Sequence, residues 1–593
     1  PGISSNNGNG CSNGNGEISN LADWRNISCF IGDDEDSNTH LIQADYLANY
    51  VWTNYPVYNI DKIFFDAYPQ IITPGGQRYP GVKAAIKNRV ESGALIINYT
   101  GHGGEEGWAH ESVLEVSDIL GWQNKNNMPL FVTATCEFSR YDDPKRTSAG
   151  ELVLLHANGG GIGLLTTSRV TYSSTNFVLS KVVYQNIFKE NNGQFFRLGD
   201  IIRISKNGAG NVSANRNFVL LGDPALTLAY PKNEVVTTSV TDANTNLALD
   251  TLKALSKVKI EGEVQINGAL ASSFNGFIYP SIYDKKQDYK TLVNDSESKP
   301  YTFKLQKNII YKGKAEVKNG KFSFTFVVPK DISYQLGNGK ISYYAHNGIT
   351  DANGYFDSLL IGSSLTNADI DITGPEIRLF INDTNFISGG ITDENPNLVA
   401  FVFDEHGINT VGNGIGHDIV ATLDENSTNP IVLNDYYESE LNDYQHGKIQ
   451  YPFSNLSVGN HSLSLKVWDV YNNSATAHID FIVADGEEMA LDHLLNAPNP
   501  FSNNTSFIFE HNQSCDNMNV EIDIYNSMGQ LVRVIKANVN STGYRVGAGQ
   551  VSWNGRNSSG EKLAAGIYIY RIKAQNSDGN WVEKSNKMVL LRE

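Results

Sequence analysis

A chain of 593 residues is longer than one hydrophobic core supports, so several domains of roughly 100 to 200 residues, four here, are expected. Hydrophobic residues at 40% and charged residues at 19% are ordinary for a folded protein, while plentiful Tyr, Asn and Gly with scarce Met favour β-rich, extracellular-type domains. The formal net charge of -18, without a Lys/Arg cluster, argues against nucleic-acid binding, and no apolar run approaches the roughly 18 residues of a transmembrane helix.

The chain opens at Pro1 with PGISSNNGNGCSNGNG and no charged-then-apolar leader. A start at Pro rather than Met leads us to expect that the N-terminal part of the first domain is missing. From about Ile18 to Tyr230, short apolar runs alternate with longer mixed segments, the pattern of strands and helices around a parallel sheet. The runs NISCFIG (26–32), ALIINYT (94–100), PLFVTAT (129–135) and GIGLLTTS (161–168) are apolar on both faces, as buried parallel strands require. HLIQADYLANYVW, GVKAAIKNRVES and SAGELVLLHANG are the helix candidates between them.

After Pro231 the pattern becomes strands separated by turns, as in KVKIEGEVQING and GKFSFTFVVP. Boundaries fall near 372 and 491, giving an expected division into a catalytic domain (1–230) and three β-sandwiches (231–371, 372–490 and 491–593). In the last of these, VEIDIYN and GIYIYRIKA alternate with the strand period, and Trp553 is expected in its core. His417, Asp418 and Asp469 are expected to serve turns and surface rather than a metal.

Three of the buried runs lead directly into residues capable of catalysis: CFIGDDED into carboxylates, NYTGHGG into His102, and FVTATCEF into Cys136. Ligands of open α/β sheets collect beyond the carboxyl ends of the strands, so these residues are expected to converge on one crevice. A thiol nucleophile needs a neighbouring base to take its proton and return it to the leaving amine, a role suited to His102. The amide of Gly103, with that of Cys136, is expected to hold the oxyanion. Asp33, Asp34, Glu35 and Asp36 all follow the first strand; we expect the carboxylate that orients the imidazole among them, and favour Asp34. The run GDDED also suits a solvated acidic loop or a structural calcium site. Four cysteines are too few for a disulfide framework, which leaves a Cys11–Cys29 bridge as an open reading.

The motifs NYTGHGGEEGWAHE, TATCEFSRYDD and FVLLGDPALTL occur in that order over residues 20 to 230, where the chain resembles the gingipain-type cysteine peptidases. That resemblance implies a caspase-like α/β fold, His102 and Cys136 as the catalytic pair, no required cofactor, and an acidic partner at Asp34, an aspartate where gingipains carry glutamate. LLGDPAL, with Asp223 before a proline, is expected to close the domain through a turn. Further along, DEHGINTVGNGIGHDIVATLDE, LKVWDVYNNSA and NAPNPFSNNTSFIFEH resemble the PorU-type sortases of the type IX secretion system, and the closing segment looks like a sorting-signal or FlgD-like immunoglobulin fold.

The likeness implies a peripheral outer-membrane protein on the bacterial cell surface. Such a protein cleaves C-terminal sorting domains from secreted cargo and attaches the cargo to anionic lipopolysaccharide through a thioester. The implied partners are a PorV-type β-barrel, PorQ and PorZ. A gingipain-like secreted endopeptidase with adhesin-type β domains, and a non-catalytic surface scaffold, are the alternative readings.

Overall fold

The computed structural model describes residues 20–592 apart from 211–212, 367, 369, 412–415, 427–429, 485–489, 513–516, 541–543, 576–578 and 580. The first domain is built on a six-stranded sheet of β1 (Ile27–Gly32), β2 (Asn59–Phe64), β3 (Ile96–Thr100), β4 (Leu130–Ala134), β5 (Gly163–Thr167) and β6 (Phe218–Leu221). The strand order is β6-β5-β4-β3-β1-β2, parallel throughout except for β6, which runs antiparallel to β5.

The four central strands are buried along nearly their whole length, which explains their continuous apolar runs. Two strands were not legible as such. β2 is an edge with polar residues in its outer half, NIDKIF, and β6 runs into the LLGDPAL motif expected to close the domain. Asp223 does serve a turn there, its Oδ1 accepting the Ala225 N–H at 2.8 Å.

Helices cover both faces. On one, Leu47 and Val51 of α1 (Glu35–Asn54), Leu179 and Val183 of α5 (Ser173–Asn186) and Ile201 of α6 (Leu198–Gly208) pack on Phe30, Ile96, Val132 and Leu165. On the other, Val82, Ile86 and Val90 of α2 (Pro80–Ser92), Ile119 of α3 (Val116–Leu120) and Val153 of α4 (Ala149–Leu155) pack on Ile31, Ile97, Phe131 and Leu164. Local chemistry sets the helix starts. Pro80 occupies the first turn of α2, where its missing N–H costs nothing, and Ser148 and Glu151 form a capping box on α4. α5 and α6, absent from the expected helices, begin without such a side-chain cap.

Three β-rich units follow, each with its own core. The first has a nine-stranded and a three-stranded sheet around Val258, Ile260, Phe326 and Ile341, and its strand Lys257–Ile266 alternates buried and half-exposed residues. The second pairs a four-stranded with a five-stranded sheet around Leu398, Leu463 and Phe481. The third packs two four-stranded sheets around Phe507, Ile522, Tyr570 and the expected Trp553, which is 2% exposed.

The first β-rich unit is tied to the sheet edge by polar contacts. Arg25 pairs with Asp351 at 2.7 Å, with both side chains nearly buried, and the Asn26 side chain donates to the Tyr343 carbonyl at 2.9 Å. The Lys340 ammonium donates to the Tyr58 carbonyl at 2.9 Å. His417 of the second unit pairs with Asp331 of the first at 2.7 Å, while Asp469 accepts the backbone N–H groups of Tyr471 and Asn473 and also stands with Asp371 and Asp404 in a group of three carboxylates.

Candidate active site

The site lies beyond the carboxyl ends of β1, β3 and β4. Thr100 and Ala134 are register partners across β3 and β4, and His102 and Cys136 each follow two residues later. Both residues therefore leave adjacent parallel strands side by side. Asp33 directly follows β1, the neighbour of β3 on its other side.

His102 is fixed by its backbone as well as its ring. Its N–H donates to Asp33 Oδ2 at 2.7 Å, and its carbonyl accepts the Ala109 N–H at 2.9 Å and the Tyr99 hydroxyl. Tyr99 is in turn stacked on Trp108, with ring centroids 4.3 Å apart and planes inclined by 8°. Both aromatic rings are buried, so the histidine loop rests on a rigid apolar floor. Gly101 is required by close approach: a Cβ there would sit 2.4 Å from the Cβ of Asp33 and 2.6 Å from the Tyr99 hydroxyl.

The imidazole Nδ1 lies 3.0 Å from Asp33 Oδ2 and 3.1 Å from Glu35 Oε2. The Asp33 hydrogen bond, opposed by partial burial and reinforced by the charges of Asp33, Glu35 and Asp36, raises His102 from 6.5 to about 9. Burial opposes ionisation of Asp33 itself, but the ring and backbone hydrogen bonds from His102 outweigh it and hold the carboxyl below its usual value. Nδ1 thus carries a proton toward Asp33, and Nε2 is the nitrogen free to exchange one.

Asp34, the favoured orienting residue, does not face His102. Its carboxyl accepts a hydrogen bond from the buried Tyr79 hydroxyl. Burial, opposed by that hydrogen bond but reinforced by the charges of Asp33 and Glu111, pushes Asp34 up to about 8. Glu111, 2% exposed, is likewise raised to about 7 by burial and by Asp33. Two consecutive carboxyls at a strand end point to different sides. Asp33 turns toward β3, where it meets His102, and Asp34 turns toward α2, where it stays neutral around pH 7. Their order in sequence cannot reveal which is which.

The other carboxylates of GDDED disperse. Glu35 Oε1 bonds His110 Nδ1 at 2.9 Å, and Asp36 lies 3.4 Å from His40 Nε2 and 3.6 Å from His102 Nε2. Among the described residues, each three-residue donor group that this run could form includes His102, a nitrogen donor less suited to calcium than an all-oxygen set.

Cys136 is half-buried and its thiol donates to the Thr171 carbonyl at 3.4 Å, on the segment after β5. The next residue, Glu137, adopts φ 51°, a left-handed conformation that turns the chain sharply behind the cysteine. Cys29 is buried on β1 with its thiol raised well above the usual value by burial, which suits packing and not nucleophilic chemistry. The Cys11 half of the Cys11–Cys29 pairing lies outside the described residues.

Gly103 and Gly104 form a short hairpin with Gly107 and Trp108. Gly103 faces Trp108, and the adjacent bond runs from the Ala109 N–H to the His102 carbonyl, so Gly103 occupies a non-hydrogen-bonded position. Its N–H is consequently not consumed by the ladder. Beyond the hairpin, Arg140 Nη1 bonds Glu105 Oε1 at 2.7 Å and ties the histidine loop to the loop following Cys136. Sequence reasoning did not single out Tyr79, Tyr99, Trp108, Glu111 or His40. Only the aromatic density of the region hinted at the first three.

A thiol and an imidazole just past the ends of neighbouring parallel strands, with a buried carboxylate behind the imidazole and an amide outside the ladder beside it, are the groups that a cysteine peptidase needs. In keeping with this, residues 14–229 match Peptidase family C25 and residues 499–578 match the FlgD Ig-like domain. The first domain is a C25 cysteine peptidase domain of the gingipain family. No curated protein matches the chain.

Among solved structures, dimeric latent PorU from Porphyromonas gingivalis is 28% identical, with 74% of this chain and 42% of that chain covered and a TM-score of 0.28. Arg-specific gingipain R is 15% identical over 58% of this chain and 69% of its own, with a TM-score of 0.31. The complex of RgpB pro- and mature domains from Porphyromonas gingivalis is 14% identical over 57% and 70%, with a TM-score of 0.30. The chain spans less than half the length of the PorU chain.

Proposed function

We propose that this cysteine peptidase acts as a sortase-type transpeptidase: it cleaves C-terminal sorting domains from type IX secretion cargo and transfers the cargo to anionic lipopolysaccharide. The observation that carries the chemistry is the pairing of His102 with Asp33, which leaves Nε2 for proton exchange on the strand beside Cys136. Cys136 Sγ attacks the peptide carbonyl, and the oxyanion is met by the Gly103 amide. His102 protonates the departing amine, so the C–N bond breaks and a thioester remains on Cys136. An acceptor amine then attacks the thioester, His102 takes its proton, and the thiol is released.

Transfer, rather than hydrolysis, is supported by the resemblance of the segments after residue 400 to PorU-type sortases. The same resemblance supports a peripheral position on the outer-membrane surface and a PorV-type barrel, PorQ and PorZ as partners. Among the described residues no helix is long and apolar enough to cross a membrane; attachment through such a partner is part of this proposal.

The test is cleavage of a cargo fragment bearing its sorting domain, with and without an amine acceptor, followed by mass spectrometry. An amine-linked product that disappears in Cys136→Ala and His102→Ala supports transfer. Hydrolysed product alone, at every acceptor concentration, would show a gingipain-like endopeptidase instead. An unprocessed substrate with intact, folded protein would favour the scaffold reading.

A further inference from the structure

His40, on the first part of α1, has no role in the chemistry above, yet its surroundings are unusual. It is 6% exposed; neither ring nitrogen makes a well-aligned hydrogen bond, and the polar group facing Nε2 is Asp36 Oδ2 at 3.4 Å. Buried imidazoles normally satisfy at least one nitrogen with good geometry, so a ring that faces a carboxylate without such a bond has room for a further partner between them. The ring stands edge-on to the His102 ring with centroids 4.8 Å apart.

The third group is Asp36. Its Oδ2 lies 3.4 Å from His40 Nε2 and 3.6 Å from His102 Nε2, and one donor atom from each of the three residues falls within 4.8 Å of the others. Tetrahedral zinc with bonds of about 2.0–2.1 Å separates its ligand atoms by about 3.4 Å. Two of the three edges of such a site are therefore present without rearrangement. Asp36, Ser37 and Asn38 have φ of 54°, 59° and 63°, three successive non-glycine residues in the left-handed region. That unfavourable turn is what brings the Asp36 carboxylate back over the two rings, and strain of this kind persists where it positions a group for function.

We propose that Asp36, His40 and His102 form a reversible, inhibitory Zn²⁺ site. Two imidazoles and one carboxylate match the donor preference of zinc, with water as the fourth ligand. The His102 atom engaged is Nε2, the one that exchanges protons with thiol and leaving group, because Nδ1 is committed to Asp33. Zinc therefore displaces the Nε2 proton to solvent and removes the acid–base function while the thiol stays intact. His40 makes no contact that the chemistry above uses; with Asp36 it turns the half-buried His102 into part of a chelate. Metal binding as such does not depend on the proposed transpeptidation, whereas inhibition rests on the Cys136–His102 reading.

The test uses the full chain. In the Cys136→Ala variant, which excludes sulfur ligation, calorimetry with Zn²⁺ should show an ion whose affinity falls at least 10-fold on adding His40→Gln. Asp36→Asn should do the same; its side chain is exposed, and asparagine tolerates the left-handed conformation, so folding is preserved. Co²⁺ in place of zinc should give the intense visible bands of a tetrahedral site, lost in both variants. With Cys136 present, Zn²⁺ should slow alkylation of that thiol at least 10-fold, and in both variants the alkylation rate with zinc should equal that variant's own rate without it. Equal zinc affinity with and without His40, or protection that survives Asp36→Asn, would overturn the proposal, as would a preference for Ca²⁺. Zinc binding in a protein whose Cys136 shows no activity would leave this site standing and remove the catalytic reading.

Discussion

Replacing Asp33 with Asn tests the assignment of the orienting carboxylate directly, because Asp34→Asn one residue later provides a matched control. His102, raised from 6.5 to about 9, prefers its charged form by about 3.4 kcal/mol at 1.36 kcal/mol per pH unit. Its side chain is 31% exposed and Glu35 also lies within 3.1 Å of Nδ1, so roughly half of that, about 1.5–2 kcal/mol, is ascribed to Asp33 after allowing for solvent screening. A loss of this size corresponds to about a 10- to 30-fold fall in the imidazolium-stabilised thiolate. The assay is the pH dependence of Cys136 alkylation, followed by peptide mapping so that other cysteines do not contribute. In Asp33→Asn the rate at neutral pH should fall by that factor, and the limb assigned to His102 should move from near 9 toward 7. Asp34→Asn, which mimics an acid already neutral, should leave both within about threefold. Unchanged alkylation in Asp33→Asn together with collapse in Asp34→Asn would refute the geometry.

Stability offers a second view of the same two acids. Asp34 keeps its proton up to about 8 in the folded state but loses it near 3.8 when unfolded, so its burial lowers stability progressively as pH rises through that window. Asp34→Asn should therefore melt higher than the parent at pH 7 and show no advantage at pH 3.5, by differential scanning calorimetry. His102 has the opposite consequence: its pairing with Asp33 contributes fully below 6.5 and is lost as pH rises through about 9, so His102→Gln should cost less stability at pH 9.5 than at pH 6. In Gly103→Ala the added Cβ would lie 2.7 Å from Thr135 Oγ1 and 2.8 Å from the Gly107 carbonyl oxygen. The displaced amide should lower kcat of peptide cleavage by about 10- to 100-fold with KM little changed. Arg25→Ala removes the charge partner of the nearly buried Asp351, leaving the Tyr344 hydroxyl at 3.1 Å, and about 3 kcal/mol should be lost from the first thermal transition, whereas a shift under 1 °C would show that the pair does not couple the catalytic domain to the first β-rich unit.

Residue type and period alone were enough to place the buried strands β1, β3, β4 and β5, because a strand covered on both faces must be apolar without interruption. The same reasoning located His102 and Cys136, since a parallel sheet exposes only its carboxyl ends to ligands and both residues sit immediately past such an end. Local signals failed where burial is one-sided or the partner is remote. β2 and β6 are edge strands with weaker patterns, and α5 and α6 start without side-chain caps. Among the acids of GDDED, side-chain direction depends on the turn leaving β1 and on what α2 and β3 present on either side. Asp33 became the partner of His102, and Asp34 a buried neutral acid on Tyr79, through that packing. The placement of His40 beside His102 likewise depends on the left-handed turn at Asp36–Asn38, a backbone choice with no marker in composition or period. The sequence by itself thus determined where the strand ends that carry His102 and Cys136 lie, because burial and periodicity are written residue by residue. Which carboxylate orients the histidine, and which second histidine stands against it, was decided only by contacts between segments distant along the chain.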